Sequence, residues 1–134
     1  MKVLIIDAQG GGIGKQLISA LKHNAPQLQI TAVGTNTAAT AVMLKAGADC
    51  AATGENAAVV QSRTADVIAG PVGIVIADSL LGEITPAIAA AVGQSRAKRI
   101  LIPVSHCDTV IAGTSGLILS RLIQEAVAEI QKLI

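Results

Sequence analysis

Short apolar runs rich in Val, Ile, Leu and Ala alternate along the chain with segments of helical period, and this alternation limits the possible folds most. It is the pattern of parallel strands with helices on both faces of a sheet. The first run spans Lys2 to Asp7. In the segment after it, Ile13, Leu17, Ile18 and Leu21 fall on one helical face, opposite Lys15, Ser19 and Lys22, and Pro26 stops the helix. Leu28 to Gly34 reads as a second strand. A second helix runs from about Thr37 to Ala46, with Gly47 as a left-handed C-cap. Cys50 to Gly54 is a short third strand and Glu55 starts a helix. Asp66 to Gly70 is the fourth strand, and "PVGIVIADSLLGE" after it fits either a continued strand or a short helix with a loop. Thr85 and Pro86 have the residue types of an N-cap and a first helical position. Arg99 to Ser105 is the fifth strand, and Thr109 to Gly113 a short extra one. Ser115 then caps a long helix with Leu119, Leu122, Ile123, Ala126, Val127, Ile130 and Ile134 along one side. The expectation is a single Rossmann-like α/β domain over all 134 residues. It has three layers, doubly wound about a mostly parallel sheet of about five to six strands.

Composition narrows the partners. The chain is 51% hydrophobic yet has no Phe, Tyr or Trp, so its core is built from aliphatic side chains. A net charge of +1, scattered basic residues and no aromatic rings to stack bases argue against nucleic acid and anionic membranes as partners. So much apolar content beside so little charge favours a homo-oligomer, in the simplest case a dimer. Asp7 and the glycines interrupt the first apolar run too early for a signal peptide. "VIAGPVGIVIA" (Val67 to Ala77) is broken by Gly-Pro and too short for a membrane span. Cys50 and Cys107 form no metal-ligand spacing and no disulfide framework. The chain is expected in the cytoplasm.

The stretch "DAQGGGIGK" (Asp7 to Lys15) joins the first strand to the first helix. Backbone N–H groups and the positive end of the helix dipole make such a junction an anion site, and glycines let a ligand approach closely. The exact fingerprints fail. A P-loop register puts Gln9 at its first glycine and Gln16 where a magnesium-binding hydroxyl belongs. The loop also resembles the deviant P-loop of the partition-ATPase family, but Gly10 stands at the signature lysine. Without a magnesium ligand, NTP hydrolysis loses its main charge stabiliser. The dinucleotide pattern needs a glycine at Gln9, and the short-chain dehydrogenase pattern needs one at Ala8. That family's catalytic tyrosine has no counterpart in a chain without tyrosine. The acidic residue that holds a ribose in NAD sites should end the second strand, where Gly34, Thr35 and Asn36 stand instead.

In a doubly wound sheet, ligands sit outside the carboxyl ends of the strands. The candidate ligand-binding set is therefore Gln9, Gly10, Gly11, Gly12, Ile13 and Gly14 on the first loop, Gly34, Thr35 and Asn36 after the second strand, and Gly70, Pro71 and Gly73 after the fourth. Thr53, Gly54, Glu55, Asn56, Ser105, His106 and Cys107 extend the same rim. Each also has a plainer reading in turn or capping chemistry, Thr35, Asn36 and Thr53 most clearly. Lys15 reads either as a phosphate contact or as a solvated side chain. His106 and Cys107 are adjacent on an extended chain and point apart, which disfavours a nucleophilic pair. Asp78 and Glu83 are the carboxylates best placed for acid or base work, although a solvated loop is the default.

The strings "DAQGGGIGK", "VGTNTAATAVMLKAGA", "ATGEN", "DVIAGPVGIVIADSLLGEITPAIA" and "ILIP" together resemble an uncharacterised bacterial family, a domain-of-unknown-function group of short Rossmann-like proteins found mostly in anaerobes. The resemblance covers nearly the whole chain through about Cys107. It implies a small cytoplasmic α/β protein and brings no activity, substrate or catalytic residue with it.

The residues favour a binding module for a nucleotide or another phosphorylated small molecule, an NAD(P)-type dinucleotide first among them, with phosphate on Gly10 to Gly14. An enzyme using Asp78, Glu83 or Cys107, such as a lyase, isomerase or reductase, is the rival. An oligomeric subunit whose C-terminal helix docks on itself or a partner is the third reading.

Overall fold

The computed structural model of the chain describes residues 1–104 and 108–134. Its strands are β1 (Lys2–Asp7), β2 (Gln29–Gly34), β3 (Cys50–Thr53), β4 (Val67–Pro71) and β5 (Lys98–Ile102). Its helices are α1 (Gly12–Asn24), α2 (Thr37–Lys45), α3 (Glu55–Ser62), α4 (Pro86–Gln94) and α5 (Leu119–Gln131). The strands form one sheet in the order β3-β2-β1-β4-β5, and every neighbouring pair is parallel. This is the Rossmann order shortened by its last strand, and it places the topological switch point between β1 and β4.

Burial on both faces explains why β1 reads as an unbroken apolar run rather than an alternating one. Val3 and Ile5 face a layer made by Leu17, Ile18 and Leu21 of α1, Ala39 and Met43 of α2, and Ile123, Ala126, Val127 and Ile130 of α5. Leu4 and Ile6 face Ala58 of α3 and Ile88, Ala89 and Val92 of α4, together with Ile74 and Ile84 from the β4–α4 connection. All four of these β1 side chains are fully buried. Each contributes about 1.5–3 kcal/mol of transfer free energy.

Where the elements differ from the sequence reading, the cause is local. "PVGIVIADSLLGE" resolves as a 3-10 turn (Val72–Val75) followed by further turns rather than a continued strand. β5 ends at Ile102 because Pro103 has no N–H to extend the ladder; its expected end at Ser105 lies outside the described residues. Thr109 to Gly113 is not a strand. Thr109 makes a single bridge, and the chain then turns, with Thr114 donating from both N–H and Oγ1 to the Ile111 carbonyl. Ser115 does not cap α5. Gly116 has φ +80, which breaks any helix begun there, and α5 starts at Leu119 after Ile118. Ile134 lies past the helix and is exposed. Thr53 does not cap α3 either: Gly54 holds that place, and the Thr53 hydroxyl pairs with Thr40 at 2.7 Å. Among the described residues, no helix is long and apolar enough to cross a membrane.

Candidate functional site

β1 delivers Asp7 to the base of the glycine loop. The side chain is buried and accepts hydrogen bonds from the N–H of Ala8 and the N–H of Gly14, both at 2.8 Å. It therefore does for α1 what a cap residue does, reaching from the strand end to a donor in the first helical turn. Gly11, the residue at the helix boundary, has φ +72 and no side chain to offer. Burial pushes the Asp7 carboxyl above its ordinary value and outweighs the amides of Gly14, Ala8 and Ile13, which pull it down; the Glu83 charge adds to the rise. The inner part of the helix N-terminus is thus occupied by the chain's own carboxylate. Farther out, the N–H groups of Gly10 and Gly12 have no acceptor among the described residues.

The glycines of the site separate by what a side chain would meet. At Gly14 a Cβ would strike the Met43 side chain and come within 3.1 Å of the Asp7 Cβ. At Gly11 it would stand 3.0 Å from the Ala39 backbone. At Gly34 it would meet Thr40 and Asn36, and at Gly70 the Ile6 carbonyl oxygen in the neighbouring strand. These positions serve close packing. At Gly10 and Gly12 nothing lies within 4 Å. Neither has the positive φ that would demand glycine, and Gly12 sits in a helix, where glycine is disfavoured.

Across from the loop lies the β4–α4 connection. Asp78, Leu80 and Leu81 have φ of +64, +56 and +59, and Gly82 follows at +83. Three non-glycine residues in the left-handed region are costly and persist only where surrounding contacts impose them. Those contacts are visible. The Asp78 N–H donates to the Ile84 carbonyl at 2.7 Å, the Ser79 Oγ to the Gly73 carbonyl at 2.6 Å, and Ile84 is fully buried. The firmest tie is Glu83. Its Oε1 accepts from the Gln9 N–H at 2.9 Å, the Thr35 hydroxyl at 2.6 Å and the Asn36 Nδ2 at 2.8 Å. Partial burial raises the Glu83 carboxyl, but these three hydrogen bonds outweigh it and hold the group below its ordinary value. The carboxylate that the end of β2 lacks in sequence is supplied there by another loop.

Asp7 to Ile13, Pro71 and Leu80 line a crevice of about 220 Å³ at the switch point. Two larger hollows, of about 450 and 480 Å³, lie between α3 and α4 and between β5 and α5. Neither has the unused loop amides and open glycine positions that gather at the strand ends.

The placement of the sequence candidates follows. Gln9, Gly10, Gly11, Gly12, Ile13 and Pro71 line the crevice. Gly14, Gly34 and Gly70 are buried packing positions beneath it. Gly73 is buried in the 3-10 turn. Thr35 and Asn36 adjoin the crevice through Glu83, and Asn36 also caps α2, its side chain accepting from the Ala39 N–H. Asp78 is exposed in the turn. Thr53, Gly54, Glu55 and Asn56 lie on the far side of β2, at the end of the edge strand β3. Lys15 is exposed and does not line the crevice. Ser105, His106 and Cys107 lie outside the described residues. Three participants escaped the sequence reading: Asp7 as an internal cap, and Ala8 and Leu80 as parts of the wall. An acidic residue closing an apolar strand directly before a glycine loop was the available signal for the first.

No curated protein matches the chain in sequence. Among solved structures, the fold is similar to that of a dodecameric FMN-dependent UbiX-like decarboxylase from Escherichia coli O157:H7. The TM-score is 0.55 and the identity 16%, over 99% of this chain and 94% of that one. At that identity the likeness concerns the fold. The family model described as "Domain of unknown function (DUF3842)" matches residues 2–134, and the chain belongs to that family.

Proposed function

We propose that the protein binds a nucleotide at the switch-point crevice, with a phosphate on the outer amides of the glycine loop. The observation that carries this reading is the pair Gly10 and Gly12. Both have an N–H without an acceptor among the described residues, and both would present a Cβ to open space. Neither packing nor a left-handed turn calls for glycine at these positions, whereas a ligand lying against the backbone does. The expected phosphate seat, Gly10 to Gly14, contracts to Gly10 to Gly12 because Asp7 already engages the Gly14 N–H. A crevice of about 220 Å³ is smaller than the roughly 300–1,000 Å³ usual for a whole ligand. A nucleotide seated there extends along the strand ends toward Thr35 and Asn36. The FMN dependence of the structural neighbour is in keeping with this use of the fold.

The test is a thermal-shift and native mass-spectrometry screen of the chain against NAD, NADP, FMN, AMP, CoA and sugar phosphates. At least one nucleotide raises the Tm of the wild type, and Gly12→Val abolishes that rise while leaving the unliganded Tm in place. A screen in which no phosphorylated compound shifts the wild type defeats the reading. Self-association belongs to the same proposal: Val110, Leu117 and Ile118 are 83, 50 and 65% exposed, and a second copy covering them removes that apolar area from water. Sedimentation of the intact chain decides the point.

A further inference from the structure

We propose that Glu83 is the group that reads the sugar: its second carboxylate oxygen accepts hydrogen bonds from a free ribose diol and turns away ligands phosphorylated at that position. This inference rests on the nucleotide reading above and names the part of the nucleotide that the site selects.

In Rossmann-type sites an acidic residue near the end of the second strand accepts from the ribose hydroxyls, and a positive group takes its place where a 2′-phosphate is bound. This chain has Gly34, Thr35 and Asn36 at that strand end. The structure nevertheless places a carboxylate there, delivered from the β4–α4 connection. Glu83 divides its oxygens unequally. Oε1 takes all three donors, from Gln9, Thr35 and Asn36, and Oε2 has no partner among the described residues. The first oxygen fixes the group and the second is left to accept.

Position and electrostatics agree with that division of labour. Gln9, which donates its N–H to Glu83, itself lines the crevice, so the carboxylate lies one residue from the proposed phosphate seat. Leu80, from the same loop as Glu83, forms the opposite wall. Among the described residues no lysine or arginine lines the crevice, whereas Asp7 does. A second phosphate beside Glu83 would meet like charge without compensation. A hydroxyl pair donates to a carboxylate and carries no charge, so the site suits an unphosphorylated diol. A hydrogen bond from a neutral donor to a charged acceptor is worth roughly tenfold to a hundredfold in affinity.

The experiment measures affinities of the wild type and Glu83→Gln for AMP, 2′-deoxy-AMP, NAD and NADP by calorimetry, with thermal unfolding of the unliganded proteins alongside. Glutamine keeps an oxygen for Gln9, Thr35 and Asn36 and replaces the free acceptor with a donor. The wild type binds AMP at least about tenfold tighter than 2′-deoxy-AMP, and NAD at least about tenfold tighter than NADP. In Glu83→Gln both ratios fall to within about threefold. Equal binding of AMP and 2′-deoxy-AMP by the wild type overturns the inference without any variant. Ratios that persist in a folded Glu83→Gln overturn it as well. Binding of none of the four compounds to the wild type overturns this inference, and the nucleotide reading falls with it only where FMN and CoA also leave the Tm unchanged.

Discussion

Gly10 and Gly12 sit at the same β1–α1 junction as Gly11 and Gly14, yet the two pairs have different surroundings. A Cβ at Gly14 would collide with Met43, and one at Gly11 would press on the Ala39 backbone; Gly34 and Gly70 in the strands beneath are still tighter. At Gly10 and Gly12 the added atom would meet nothing within 4 Å. Gly11, Gly14 and Gly34 let α1 and α2 approach the sheet, and Gly70 lets β4 lie close against β1. The open set has no such task within the fold, and on the proposed reading it serves a ligand. The proposed function thus assigns folding and binding to neighbouring glycines, and substitutions can separate the two.

The largest effect is expected at the tightest strand position. Gly70→Ala drives a methyl group into the Ile6 carbonyl, where only a shift of β4 against β1 relieves the contact. It should cost about 3 kcal/mol in denaturant unfolding. A loss under about 1 kcal/mol would show that the strands yield there. Asp7→Ala comes next, at about 2 kcal/mol, because the Ala8 and Gly14 N–H groups lose their acceptor. An unchanged midpoint would deny Asp7 its capping role. Gly14→Ala should cost about 1–2 kcal/mol, less than Gly70→Ala because the Met43 side chain can swing aside.

The two carboxylates give a smaller effect of opposite sign. Burial raises the Asp7 carboxyl above its ordinary value, so its contribution is full below the usual aspartate range and is lost as pH rises through the raised value. Glu83 is held below its ordinary value, so its contribution is present above the usual glutamate range and is lost as pH falls through the lowered value. As pH falls through the acid range, the stability of wild type relative to Asp7→Asn should therefore grow, and that relative to Glu83→Gln should shrink. Parallel slopes in urea titrations across that range would refute the assignment of opposite environments. The smallest effect belongs to the open glycines: Gly12→Ala should stabilise the free protein by about 0.5 kcal/mol through helix propensity. A clear destabilisation there would mean that the fold itself needs this glycine.

The strands and their order of appearance were legible because burial on both faces writes β1 as the continuous run Val3 to Ile6 and because α1 repeats its apolar residues at helical spacing. Thr85 and Pro86 signalled the start of α4 with the residue types that the position requires. The stretch Thr109 to Ser115 was misread, since an apolar run such as "TVIAG" has strand composition whether or not a partner strand exists. Only Gly113 and Gly116, both with positive φ, hinted at its turns.

By itself the sequence determined a parallel α/β sheet, a glycine junction after β1 and the absence of an acid at the end of β2. These are local properties, written as periodicity and residue type at short range. Only the tertiary structure decided that Asp7 fills the inner anion place, that Gly14 packs while Gly12 stands open, and that Glu83 brings a carboxylate to Thr35 and Asn36. Glu83 and Gln9 are 74 residues apart. Contacts over that separation depend on how β1 and β4 are placed side by side, which no local pattern records.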